Sequence, residues 1–168
     1  INVLAKKSIS ELMKFKGIGE AKAISINAAL ELGRRRANEE ETVPKKINSS
    51  KDAYNYIRYI FEDIEHEEFH IIFLNRANKI IGNKIISKGG ISGTIADGKL
   101  IFKKALEYTA SSIILCHNHP SGNLKPSEQD IGLTHKLVEF GKLIDLPVLD
   151  HLIITDHNYF SFADESMI

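Results

Sequence analysis

An α/β domain with one mixed sheet, preceded by a small helical hairpin, is the architecture this sequence predicts. Three observations predict it. From residue 47 onward, helical stretches and short apolar runs follow one another in the order helix, two strands, helix, strand, helix, two strands. That order builds a sheet with helices packed on it. Residues 1–36 read as helix, tight turn, helix, with no strand pattern. Between the two lies 37–46, polar, charged and containing Pro44, which reads as a linker.

The elements follow in order. Ser8-Ile9-Ser10-Glu11 is a capping box that opens a short helix to about Lys14. Lys16-Gly17-Ile18-Gly19 makes the turn, and a second helix spans Glu20 to about Arg36. Arg34, Arg35 and Arg36 are expected in its last turn, where the helix dipole favours cations. Ser49 or Ser50 caps a third helix running to about Ile64. Phe69–Asn75 and Lys79–Ser87 form a hairpin across Arg76-Ala77-Asn78. Gly89, Gly90 and Gly93 mark a turn-rich loop, and Lys99–Ala110 is helical. Ser112–His117 is a strongly apolar strand, Asn118–Lys125 a loop, and Ser127–Leu143 a long helix. Val148–Thr155 and Tyr159–Phe162 are strands around an Asp156-His157-Asn158 turn.

Composition bounds the function. With 43% hydrophobic and 26% charged residues and no Trp, the chain is that of a soluble globular protein. Its apolar runs are too short to span a bilayer, and no signal peptide is visible, so a cytoplasmic setting is expected. The first residue is Ile1 and not Met, which suggests a piece of a longer protein. Net charge is zero, but residues 1–46 hold ten Lys/Arg against six Asp/Glu, a weak hint of an acidic partner there. The single cysteine, Cys116, excludes an internal disulfide. It precedes His117, so a ligand role is weighed against a core role. Strand alternation turns Cys116 away from the face of His117 and His119, which favours core.

The informative segment is Cys116-His117-Asn118-His119-Pro120-Ser121-Gly122, followed by Pro126-Ser127-Glu128-Gln129-Asp130. His117 and His119 stand two apart at a strand end, so both rings share one face. The loop returns to a helix whose first turn holds Asp130. Packed beside the strand end, Asp130 completes a site of two imidazoles and a carboxylate. That set suits a catalytic zinc, which keeps its fourth position for water. The blander alternatives are a surface histidine pair and a plain helix cap with Ser127 at the N-cap. The combination of both halves is far more specific than either alone.

His-x-His-Pro followed by Ser-x-x-Asp resembles the JAMM signature of MPN-domain metalloproteases. The longer string His117-Asn118-His119-Pro120-Ser121-Gly122 with Pro126-Ser127 and Asp130 resembles the RadC family within it. Glu67-Glu68-Phe69 leading into Ile72-Phe73-Leu74, Leu149-Asp150-His151, and Lys16-Gly17-Ile18-Gly19 running on to Ala29–Arg34 also look RadC-like. The resemblance implies an MPN/JAMM-like, cytidine-deaminase-like sheet over 47–168. It implies one zinc per chain on His117, His119 and Asp130, and Ser127 supporting an oxyanion. It also implies a glutamate base upstream. Glu67 is the choice and Glu68 its direct competitor, since neighbouring strand residues face opposite sides. One departure is Lys99-Leu100, where the family usually carries an Arg-Glu pair.

The implied activity is zinc-dependent hydrolysis of a peptide or isopeptide bond in an unknown protein or peptide substrate. The alternative is a DNA-associated, repair-linked binding protein whose metal site is structural or inactive. The turn at Lys16, Gly17 and Gly19, with Lys22, resembles part of a helix–hairpin–helix, which holds DNA phosphates with backbone amides and without sequence preference. Asp150 and His151 are expected to support the site from behind or to hold the sheet. His66, His70, His135 and His157 show no ligand spacing with the main motif.

Overall fold

The structure of the protein is a computed structural model that describes residues 4, 7–40, 46–62, 64–89 and 96–168, with backbone alone for 34–40. The chain divides into two compact units, Ile1–Val43 and Pro44–Ile168.

In the first unit, α1 (Ile9–Leu12) is opened by the expected capping box, with Ser8 and Glu11 satisfying each other's backbone amides. Gly17 turns the chain at φ +86°, a conformation only glycine adopts freely. The next helix, α2, spans Glu20–Glu40 and so runs past Arg36 into the stretch read as linker. Nothing in Ala37-Asn38-Glu39-Glu40 breaks a helix, because polarity alone does not. The three arginines therefore precede the last turn, which carries no basic residue.

The second unit is a five-stranded sheet in the order β2-β1-β3-β4-β5. Its strands are β1 (Glu68–Leu74), β2 (Ile80–Lys88), β3 (Ser112–Asn118), β4 (Val148–Ile154) and β5 (Tyr159–Ser161). β1 runs antiparallel to both β2 and β3, β3 and β4 are parallel, and β5 is antiparallel to β4. The hairpin turns at Asn78, whose φ of +55° suits an Asn. The helices are α3 (Ser50–Ile57), α4 (Gly98–Glu107) and α5 (Glu128–Leu143). Ser49 caps α3, which stops at Ile57 and passes into a single 3₁₀ turn over Arg58–Ile60, short of Ile64. Gly90 and Gly93 of the glycine-rich loop lie outside the described residues, as do positions 41–45 of the linker.

Both faces of the sheet are covered, which is why β1 and β3 are buried along their whole length and carry the continuous apolar runs Ile71–Leu74 and Ile113–Cys116. Phe69, Ile71, Phe73, Ile113 and Leu115 pack under α4 and α5, with Ile101, Phe102, Leu137 and Val138. Ile72, Leu74, Ile114, Cys116, Leu152 and Ile154 pack on the other face against Ala53 and Ile57 of α3. Cys116 is thus a fully buried core residue, as alternation predicts. Gly141 of α5 sits where a Cβ would come within 2.6 Å of the Leu146 carbonyl oxygen, so the helix end and the approach to β4 touch backbone to backbone. Among the described residues no helix is long and apolar enough to cross a membrane.

Candidate metal centre

The parallel connection β3–α5–β4 places three elements around one point. β3 ends at Asn118, and its ladder continues one step, with the His119 amide donating to the Ile154 carbonyl at 2.9 Å. Pro120 and Gly122 then bend the chain toward α5, Gly122 with φ +77°. Ser127 is the N-cap of α5, and Asp130 stands at its third position. The Ser127 amide donates to Asp130 Oδ2 at 2.7 Å, and the Ser127 hydroxyl donates to the same oxygen at 2.6 Å. The cap fixes the carboxylate and aims it at the strand end.

His117, His119 and Asp130 come together, their ligand atoms all within 4.8 Å of one another. His117 Nε2 lies 3.0 Å from His119 Nε2 and 3.3 Å from Asp130 Oδ1, and His119 Nε2 lies 3.7 Å from Asp130 Oδ2. The outer nitrogens are both committed. His119 Nδ1 is 2.6 Å from the Asn123 carbonyl, which can only accept, so that nitrogen carries the proton. His117 Nδ1 is 2.8 Å from His151 Nε2.

The inner nitrogens of both rings and a carboxylate therefore face one point. Only a cation or an added proton stabilises that arrangement. The carboxylate and the histidines are electrostatically coupled. Burial would raise Asp130, but His117 and His119 beside it hold its carboxyl far below the usual range. Asp130 raises His119 above an ordinary imidazole, against the opposing effect of burial. Nitrogen and carboxylate oxygen donors in this number fit a zinc ion with a position to spare.

Behind the ligands, His151 is fully buried, between Phe69 (ring centroids 5.5 Å apart) and Phe162 (4.9 Å, stacked). Burial drives its imidazole well below its ordinary value, so it is neutral. The structure separates the Asp150-His151 pair. His151 touches His117, whereas Asp150 faces the other way and accepts from the His151 amide, the Ser161 hydroxyl and the Ala163 amide. Burial raises the Asp150 carboxyl, and those three donors oppose the rise.

Alternation likewise separates Glu67 from Glu68. Phe69 pairs with His117 and stacks on it, ring centroids 5.9 Å apart, so Glu67 two residues earlier shares the face of the histidines. The Glu67 charge contributes to the raised pKa of His119. Glu68 turns to the opposite face, where His66 and His70 lie 2.9 Å from its oxygens and Lys88 lies 3.0 Å away. Two supporting residues escape sequence reasoning. Asn118 brackets Glu67, its carboxamide donating to the His66 carbonyl at 2.9 Å and accepting from the Glu68 amide at 2.7 Å. Thr134 of α5 stands 2.6 Å from His151 Nδ1. The clue to Asn118 was its place between the two histidines, pointing away from them.

Comparison with known proteins agrees with this geometry. Residues 47–167 match the model of the RadC-like JAB domain. A UPF0758 protein of Flavobacterium johnsoniae is 54% identical over 99% of this chain and 73% of its own length. A UPF0758 protein of Porphyromonas gingivalis is 46% identical over 98% of this chain and 74% of its own length. The archaeal UPF0758 protein of Methanosarcina mazei is 39% identical over the full chain and 73% of its own length.

The chain belongs to the RadC family. The fold expected of a RadC protein, a mixed sheet flanked by helices with helices before it, is the fold observed. In the N-terminal unit of this RadC protein, Lys16 is exposed, and Lys22 donates through Nζ to the Gly17 carbonyl at 3.0 Å. Lys22 thereby helps to close the turn. A Cβ on Gly19 would meet open space.

Proposed function

We propose that this RadC protein is a zinc-dependent hydrolase that cleaves a peptide or isopeptide bond. One observation carries the reading: His117 and His119 have their outer nitrogens engaged, so both inner nitrogens and the capped Asp130 carboxylate converge on one point. His117, His119 and Asp130 would hold one zinc. When bound, zinc polarises a carbonyl oxygen and makes water acidic enough to supply hydroxide near neutral pH.

The protein's own residues do the rest. Glu67, on the face of the histidines, takes a proton from the attacking water and returns it to the leaving nitrogen. Ser127 holds Asp130 in place, and its hydroxyl proton lies on the carboxylate. To donate to a developing oxyanion it must turn away from Asp130. A cleft of about 660 Å³ opens beside Pro120, lined by Tyr54, Arg58, Phe61, Thr155 and Asp156, next to the ligand loop. His117, His119 and Asp130 are not among its lining residues.

The test pairs metal analysis with hydrolysis of quenched-fluorescent peptides and Nε-acyl-lysine isopeptides. Wild type is expected to hold one zinc and to cleave one of these classes. Glu67→Gln should keep the zinc and lose the cleavage. Wild-type zinc content near zero would overturn the reading.

A further inference from the structure

Thr134 lies mid-helix in α5, and nothing in its sequence context marks it. Its hydroxyl oxygen is 2.6 Å from the Asp130 carbonyl, four residues back, and 2.6 Å from His151 Nδ1. A helix threonine bonding to the carbonyl four residues earlier is common, and by itself it means little. The placement of the second contact gives it a direction. The Asp130 carbonyl can only accept, so the single hydroxyl proton goes there. The Thr134 oxygen must then accept from His151, which puts the His151 proton on Nδ1. His151 is fully buried and has no water to turn to. Its Nε2 is left bare and must accept from His117 Nδ1, 2.8 Å away. His117 Nε2 is in turn left bare, facing His119 and Asp130.

We infer that Thr134, acting through His151, is the positioning residue that sets the His117 tautomer and so makes its inner nitrogen a metal donor. The chain starts and ends on one residue, because the Asp130 backbone carbonyl orients the relay whose last nitrogen faces the Asp130 carboxylate. The opposite wiring is chemically possible. Were the hydroxyl to donate to His151 Nδ1, His151 would donate from Nε2, and His117 would carry its proton on the nitrogen that faces the site. That wiring gives up the bond to the Asp130 carbonyl and blocks the ligand. The inference rests on the metal-site reading above, but the tautomer it specifies belongs to the metal-free protein and is measurable there.

The experiment uses the whole chain, stripped of metal, with ¹⁵N-labelled histidine. Imidazole nitrogen shifts are recorded well above the ordinary histidine value of ~6.5, where the rings are neutral. Zinc affinity is measured by competition with a chromophoric chelator. In wild type, His117 and His151 are both expected to carry the proton on Nδ1. Thr134→Val keeps the shape and removes the hydroxyl. It should mix the two tautomers at both rings and weaken zinc binding about tenfold, the low end for outer contacts of metal ligands. Thr134→Ser should restore both signals, which a merely structural role would not require. Thermal melts check that the valine variant is folded, and the serine variant carries the test if it is not. A wild-type His117 protonated on Nε2 overturns the inference, as does zinc affinity unchanged in Thr134→Val. A wild type with the expected tautomers but no zinc affinity would leave the relay standing and remove the metal reading.

Discussion

Two clusters of two histidines and a carboxylate lie on opposite faces of β1 and β3. On one face, His117, His119 and Asp130 converge; on the other, His66 and His70 flank Glu68, with Lys88 above it. The residue types are alike, and the difference lies in where the protons are. In the first cluster each imidazole has an acceptor behind it, the Asn123 carbonyl or His151, so bare nitrogens face inward. In the second the imidazoles point an N–H at the carboxylate, and the outer nitrogen of the buried His70 has no partner among the described residues. Burial lowers His70 below its ordinary value, which keeps it neutral. Burial would raise Glu68, but His70, Lys88 and His66 together hold its carboxyl below the usual range. One cluster is therefore short of positive charge at its centre, while the other is already neutralised. A metal site is recognised by the groups behind its ligands as much as by the ligands themselves.

The comparison makes graded predictions. The largest effect is on metal content. His117→Ala and Asp130→Ala should each weaken zinc binding roughly a hundredfold or more, beyond what outer contacts cost. His70→Ala should leave the zinc content at the wild-type value. Equal zinc loss from both clusters would erase the distinction between them.

Next comes rate. Glu67→Gln should lower hydrolysis by about 10²–10⁴-fold with zinc retained. Glu68→Gln should change rate little and cost about 1–3 kcal/mol of stability, the cost of a poorly satisfied buried polar cluster. A dead Glu68→Gln variant beside an active Glu67→Gln would swap the two faces.

Asn118→Ala sharpens the border between the clusters. It leaves a buried amide and a carbonyl on either side of Glu67 without partners, at about 1–3 kcal/mol in chemical denaturation. The rate should fall while zinc stays bound, since Glu67 loses its bracket.

The smallest effect is on pH dependence. The folded pKa of His70 lies below the unfolded value of ~6.5, so the unfolded chain takes up the proton first. The stability that His70 contributes is full above that value and drains away as pH falls through the window beneath it. Melting temperature recorded from neutral to mildly acidic pH should fall less steeply in His70→Gln than in wild type.

Much of this was legible in the sequence for local reasons. Ser8, Ser49 and Ser127 announce their helices because a cap is settled within four residues. Alternation along β3 separates Cys116 from the histidines without any tertiary knowledge, and the same rule splits Glu67 from Glu68. The parts that could not be read depend on distant partners. Asn118 matters through residues 50 and 52 positions earlier, and Thr134 through a histidine 17 positions later. Asp150 and His151 read as one polar pair, yet strand geometry sends them to opposite faces. The end of α2 is hard to read for another reason: a polar stretch resembles a loop, although these residues propagate a helix without difficulty.

The hydrogen bond from the His119 amide to the Ile154 carbonyl bears on the order of assembly. His119 stands past the end of its strand, in what is otherwise a loop, yet its amide is tied into the parallel ladder. Parallel neighbours are joined only after a long crossover has closed, here the whole of α5 and its flanking turns. His119 therefore reaches its native position late, after the crossover has docked. A nascent chain halted before β4 would present the motif without the site. In native-state hydrogen exchange the His119 amide should open together with the sheet, at the slow rate of the strands and not at the rate of the loop that follows it.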